Sequence, residues 1–488
     1  MSDDQYLREL GYEPQLDRSM GAWSSFSISI SCMCVTAGVF TTYAYAMGKV
    51  GPIFIWMWLI VAIGQLLVAL VLADLSSRMP ISGYAYQWAS RLKSSHYGWI
   101  VGWLGLMAFI PGFTGLNYGL AGVLLPTLGI EPTTAALSIT AASATIVQFV
   151  INAIGVRVAA RINTTVAFVV EIALSIVMTV ILLIVGLVGN PRHSISYFTE
   201  SSPVDAGLIT ALALSSLLAM WVLTGFEGAA DLAEETKLPS KFVPQAVLRS
   251  LIFAIVVGFF MLVGLTINNP GGLNDGDPST ILHSALGTFG GTVFESIAMI
   301  ALFAGGLANM AAASRLMFSM ARDHMLPGSN RLRQVSGTTK APIATIAVVT
   351  CASLTLVVIG LFSSDAMSRI VGMAAIGYYG VYGLTILAVI LSKPSQETAS
   401  IGHTGAFSLG RYGHAVRVIA VVWTAVVVAA LVIPAENHAT AQTAGVFIII
   451  AVLWYLLRLR REINEGRAGV PRAADGQSRH EAVESSSS

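Results

Sequence analysis

Two acids and two glycine-bearing stretches interrupt an otherwise apolar chain. Glu227 falls in Trp221-Val222-Leu223-Thr224-Gly225-Phe226-Glu227-Gly228, within one apolar segment. Glu171 lies in the middle of another; its helical neighbours are Ala167, Phe168, Leu174 and Ser175, none of them basic. A carboxylate near mid-membrane costs about 2.5–3.5 kcal/mol on insertion scales, so it persists there protonated, paired or facing water. Glu227 therefore either attracts a cation or a proton, or is a carboxyl held by hydrogen bonds to loosened backbone. Glu171 either couples to protons as its surroundings wet and dry, or is a protonated acid bonded to a neighbouring helix.

The glycines suggest where backbone is loosened. Val35-Thr36-Ala37-Gly38-Val39-Phe40 and the Gly225 stretch each put small residues near the centre of an apolar segment. Backbone released from a helix in lipid must be satisfied by a water-filled cavity or by other protein, and such breaks mark binding sites; glycines also simply permit close packing. The start of a half-helix presents unpaired amides and favours a carboxylate. The carbonyls that end the preceding half-helix favour an ammonium. A small amphoteric molecule fits both, with Thr36, Ala37 and Gly38 on the carboxylate side and Thr224, Gly225 and Phe226 on the amine side. Trp221, one turn before the break, either caps an ammonium by cation–π attraction or packs in the core.

These residues need a membrane scaffold. Of 488 residues, 55% are hydrophobic and 11% charged, against roughly 25% charged in soluble proteins. Apolar stretches of about 20 residues, enough to cross a bilayer as helices, predict an all-α integral membrane protein with twelve spans: about 23–47, 53–73, 97–126, 135–155, 163–188, 206–231, 244–267, 293–322, 343–362, 368–391, 415–434 and 441–457. The external loop 268–291 carries a short helix around 280–286. With residues 1–22 inside, 24 of 27 basic residues fall in retained loops and tails, leaving Lys49, Arg192 and Arg369 outside; this bias places both termini in the cytoplasm. The acidic and basic N-terminal segment lacks the apolar core of a cleavable signal, and the polar tail 461–488 reads as disordered. Net charge is +1, which gives no reason to propose a nucleic-acid partner. The spacing of cysteines and histidines suggests neither a metal site nor a cofactor, and no ATP-binding loop or catalytic triad is present. An enzyme is not expected.

Spans one and six are corresponding members of two five-helix halves, and an odd number of helices per half inverts the second half relative to the first. The chain resembles the amino acid-polyamine-organocation superfamily, and within it the amino acid/choline transporter branch, over about residues 20–460. Four stretches carry the resemblance: Thr36 to Phe40; Met79-Pro80-Ile81-Ser82-Gly83-Tyr84-Ala85-Tyr86-Gln87-Trp88; Gly225-Phe226-Glu227 through Glu234-Glu235-Thr236-Lys237 and Pro239 to Pro244; and Ser314-Arg315 through Ala321-Arg322-Asp323 to Leu326-Pro327. It implies a leucine-transporter-type fold: an inverted five-plus-five repeat over about 23–188 and 206–391, then two extra helices over about 415–457. It also places Glu227 beside the binding cavity and implies an inner gate in which Arg315 and Asp323, with Glu234 and Glu235, close the cytoplasmic side. The family's usual glycine before the polar residue of span one is Thr36 here.

The expected activity is secondary transport of a small amino acid or amine across the cytoplasmic membrane by alternating access, with Glu171 and Glu227 serving proton symport. Exchange is the alternative coupling, and a channel or nutrient sensor the alternative class.

Overall fold

In lipid, a chain this apolar can satisfy its backbone only as helices or a closed barrel. In a computed structural model, the regular elements of the described residues are helical, with one isolated bridge between Met20 and Thr236. The structure describes residues 7–471 except 17, 156–160, 163, 190–191, 204–206, 363–365 and 393–406. The expected disordered tail therefore lies, from 472 onward, outside the described residues.

The first span is two helices, α1 (Ala22–Met33) and α2 (Val35–Val50). There follow α3 (Ile55–Arg78), the short α4 (Tyr84–Leu92), α5 (Ser95–Thr127), α6 (Thr134–Ile154) and α7 (Thr164–Gly189). The sixth segment comprises α8 (Leu208–Val222) and one further turn, α9 (Gly228–Asp231). The chain continues through α10 (Pro239–Ile267), α11 (Pro278–Arg322), α12 (Ile343–Gly360), α13 (Ala366–Leu391), α14 (Gly413–Val432) and α15 (His438–Trp454).

Eleven spans among the described residues are long and apolar enough to cross a bilayer. The expected twelfth, 206–231, is not a continuous helix, because its helix stops at Val222 and the chain loosens before α9. The short helix expected near 280–286 is the start of α11, which bends at Gly287.

α1, α2, α5 and α11 are the most enclosed, whereas α14 and α15 lie at the periphery. Exposed Ile139, Ile146, Val180, Val422 and Leu457 give the outside an apolar surface suited to lipid. Small residues bring the central helices close: a Cβ on Gly377 of α13 would sit 2.7 Å from the Ala108 nitrogen of α5.

Both terminal segments pack on one end of the bundle. Leu7, Leu10 and Tyr12 are buried, Gly11 lies against Pro471, and the Gly469 amide donates to the Asp323 carbonyl at 2.9 Å. Ordered chain thus extends past 461, where the tail was expected to begin.

Candidate functional site: the junction of two broken helices

The break in span one falls at Cys34, whose left-handed backbone (φ 49°, ψ 53°) separates α1 from α2. That is two residues before the expected Thr36. Thr36 and Ala37 lie in the first turn of α2, where amides lack intrahelical acceptors, and the Gly38 amide already closes onto the Cys34 carbonyl at 2.7 Å. Gly38 is therefore not an open anion donor; its Cα faces Val222. The Thr36 hydroxyl is 2.6 Å from Ser175 Oγ, so its side chain turns toward α7.

In span six, Gly225 has φ +89°, and a Cβ there would lie 2.9 Å from the Cys32 carbonyl oxygen. The two breaks thus touch, backbone against backbone. Any side chain at 225 meets both a left-handed conformation and a clash with backbone that has little room to move. Gly225→Ala is expected to destabilise the protein by about 1–3 kcal/mol and to suppress transport, read as a lower melting temperature of purified protein and a lower uptake rate.

The loosened carbonyls are capped by protein. Gln65 Nε2 donates to Leu223 O at 2.7 Å, Asn309 Nδ2 to Cys32 O at 3.0 Å, and the Tyr379 hydroxyl to Met220 O at 3.3 Å. Asn309 is itself oriented by the Tyr378 hydroxyl at 3.0 Å. The Thr224 hydroxyl donates to Trp221 O at 2.7 Å, so it is committed to ending α8. A buried carbonyl that loses its donor costs about 1–3 kcal/mol. Gln65→Leu should lower thermal stability by that amount, measurable by denaturation in detergent.

Glu227, fully buried, stands at the N-cap position of α9 without a side-chain cap bond. One carboxyl oxygen accepts from the Tyr382 hydroxyl at 2.7 Å, and the other has no hydrogen-bonding partner among the described residues. Phe226 stacks on Tyr382 with centroids 5.5 Å apart and is fully buried. It seals the junction rather than lining open space. Trp221 packs near Gly112 of α5 and edge-on to Tyr378 at 6.5 Å.

Glu171 is close to this junction. It lies in a widened, π-helical stretch of α7, Ala167–Leu174, an irregularity often found at functional sites. It is buried beside the Cys34 thiol, and neither carboxyl oxygen accepts a well-formed hydrogen bond.

Past α9 lie two buried ion pairs. Arg315 of α11 donates to Glu235 at 2.9 Å, and Arg322 grips both oxygens of Glu234 at 3.0 and 3.1 Å. These pairs join the sixth segment to α11. Asp323 joins a different set: it accepts from the hydroxyls of Tyr12 and Tyr86, each at 2.7 Å, and from Gln87 at 2.9 Å. The Tyr12 ring also lies 3.7 Å from the Arg322 guanidinium. Burial, and then the Asp323 charge, push the Tyr12 phenol up, so it stays a donor. These ion pairs and the Asp323 cluster lie at the end where both terminal segments pack.

At the opposite end a cavity of about 160 Å³ is lined by Tyr45, Leu217, Arg369, Glu436, Asn437 and Thr440. Leu217 on its wall is one helical turn before Trp221. Glu436 also pairs with Lys49.

Sequence reasoning missed Gln65, Tyr379 and Tyr382 as members of the junction. Tyr378 and Tyr382 are four apart, a spacing that puts two hydroxyls on one helix face and offered a signal. Gln65 had none beyond being polar in an apolar helix.

A family model described as amino acid permease matches residues 20–454. An uncharacterised amino-acid permease of Schizosaccharomyces pombe is 27% identical, the alignment covering 93% of this chain and 88% of that protein. Amino-acid permease 2 of Neurospora crassa is 26% identical over 93% of this chain and 87% of its own length. Amino-acid permease BAT1 of Arabidopsis thaliana is 25% identical over 90% and 89%. The all-helical, multi-pass architecture and the match along nearly the whole chain lead to one assignment: the chain belongs to the amino acid permease family, within the amino acid-polyamine-organocation superfamily.

Proposed function

We propose that this protein is a secondary transporter that carries a small amino acid or related amine by alternating access, coupled to proton symport, across a cytoplasmic membrane with both termini inside. The observation that carries the reading is the junction itself. Gly225 lies against Cys32, the first amides of α2 open onto the same place, and Glu227 keeps one buried oxygen without a partner. Amides at a helix start suit a carboxylate, and the free oxygen of Glu227 suits an ammonium. The relatives named amino-acid permeases agree with such a cargo.

Access alternates if only one end is open at a time. The ion pairs Arg315–Glu235 and Arg322–Glu234 close the end bearing the termini, while the cavity below Glu436 approaches Trp221 from the other. Trp221 is then the barrier between cavity and junction. Glu171 and Glu227, the buried acids nearest the two breaks, are the proton-coupling pair.

Purified protein in liposomes, given an inside-alkaline pH gradient and a panel of radiolabelled amino acids and amines, tests this. Accumulation of one class that collapses with a protonophore supports symport. Exchange without gradient-driven accumulation selects antiport, and no uptake of any member of the panel contradicts the reading.

A further inference from the structure

Asp231 closes α9, one turn beyond Glu227, and is fully buried; neither of its carboxyl oxygens has a hydrogen-bonding partner among the described residues. Other acids at this end of the molecule are engaged: Glu234 and Glu235 hold Arg322 and Arg315, and Asp323 holds two tyrosines and Gln87. A buried carboxyl with neither cation nor donor is costly to maintain, and packing does not explain it, since Asn or Leu would fill similar space. The ionisable groups within electrostatic reach of it are Glu227 on its own segment, Cys32 of α1, Tyr84 of α4 and Tyr378 of α13. Tyr84 Oη is also buried without a partner. α10 and α11 complete the surroundings; Lys241 and Arg249 of α10 are exposed, and Arg315 and Arg322 of α11 are taken by Glu235 and Glu234.

Resting on the symport reading above, we propose that Asp231 is the proton-release station of this transporter, taking the proton from Glu227 and passing it to water on the side of the termini. The chain runs from Glu227 at the junction, through Asp231, to Glu234 and Glu235 at the ion pairs, so Asp231 stands between cargo site and closure. The O–H bond on Glu227 breaks and one forms on the Asp231 carboxylate, one turn along the same segment. When the ion pairs part, water reaches Asp231, its O–H bond breaks, and the proton leaves as hydronium while the carboxylate remains. Two carboxyls one helical turn apart on one segment titrate as a pair when they interact.

The test uses the full chain in liposomes with a radiolabelled amino acid that the wild type carries. Net uptake needs proton release; exchange of labelled for unlabelled cargo does not, because the loaded carrier can return with its proton. Asp231→Asn, which keeps the side-chain size, should lower gradient-driven net uptake about 100-fold, the scale of a lost proton-transfer group, and leave exchange within about twofold of wild type. Asp231→Glu, which keeps the carboxyl, should restore net uptake. Net uptake by Asp231→Asn within twofold of wild type overturns the proposal. So does parallel loss of uptake and exchange in a variant that melts like wild type, since that marks a structural or cargo-binding role. Wild-type exchange with no response to the pH gradient would instead remove the symport reading beneath it.

Discussion

Glu227→Gln is expected to lower transport about 10- to 150-fold. The substitution keeps the shape and preserves an acceptor for the Tyr382 hydroxyl, now 2.7 Å from the carboxyl. It removes the charge, and a hydrogen bond to a charged group is worth about 1.5–3 kcal/mol, which converts to that range of affinity. Initial rates against cargo concentration should show the loss mainly as a raised KM at the pH of strongest uptake. The dependence on external pH should flatten as well, because the side chain no longer gains or loses a proton. A variant with unchanged KM and unchanged pH profile would detach Glu227 from both cargo and coupling. Fold damage is separable, since Gln at this position leaves the Gly225–Cys32 contact and the Gln65 and Asn309 caps untouched.

The second large effect is expected at Arg315. Its guanidinium and the Glu235 carboxylate are both enclosed, with 2% and 0% of their side-chain surface exposed. Removing one partner strands the other charge in a dry interior at about 3–5 kcal/mol, whereas removing both together is often nearly neutral. Arg315→Met should therefore lower the melting temperature strongly and open the end bearing the termini, and Arg315→Met with Glu235→Met should recover most of the stability. Opening can be read by alkylation of Cys32 and Cys34, both buried at the junction, after the exposed Cys351 is replaced by Ser. The single variant should label faster than wild type. If the double variant is no more stable than the single, the pair does not act as a unit. If the single variant melts like wild type, the pair contributes little to closing this end.

Much of this was legible in the sequence, for physical reasons that differ from place to place. Helices of membrane length need only hydropathy, so the spans and the apolar exterior follow from composition. Gly225 was readable because a left-handed residue in close backbone contact permits almost nothing else, and Glu227 because a lone acid in an apolar run must have a use. The break in span one was misplaced: the small residues Thr36, Ala37 and Gly38 drew attention, yet the left-handed turn sits on Cys34, a residue with no special preference for it. Tertiary contact explains this, since Asn309 and Gly225 hold the Cys32 backbone from two sides.

Pairing was legible only in part. Opposite charges at the inner ends of spans six and eight predict ion pairs, but pattern alone cannot assign partners. Arg315 took Glu235 and Arg322 took Glu234, while Asp323 went to Tyr12, Tyr86 and Gln87, which come from distant stretches of the sequence. Caps such as Gln65 and Tyr382 are likewise long-range: their partners are 158 and 155 residues away, beyond any local periodicity.

The central claim is that cargo is held where the two broken helices touch. A cryo-electron microscopy map of the protein with a transported amino acid bound tests it most directly. The account predicts added density between Val35–Ala37 and Thr224–Glu227, its amine end toward Glu227 and its carboxylate toward the amides of α2. Density confined to the cavity between Tyr45 and Glu436, or a junction still filled by Trp221 and Phe226 with cargo elsewhere, would contradict it.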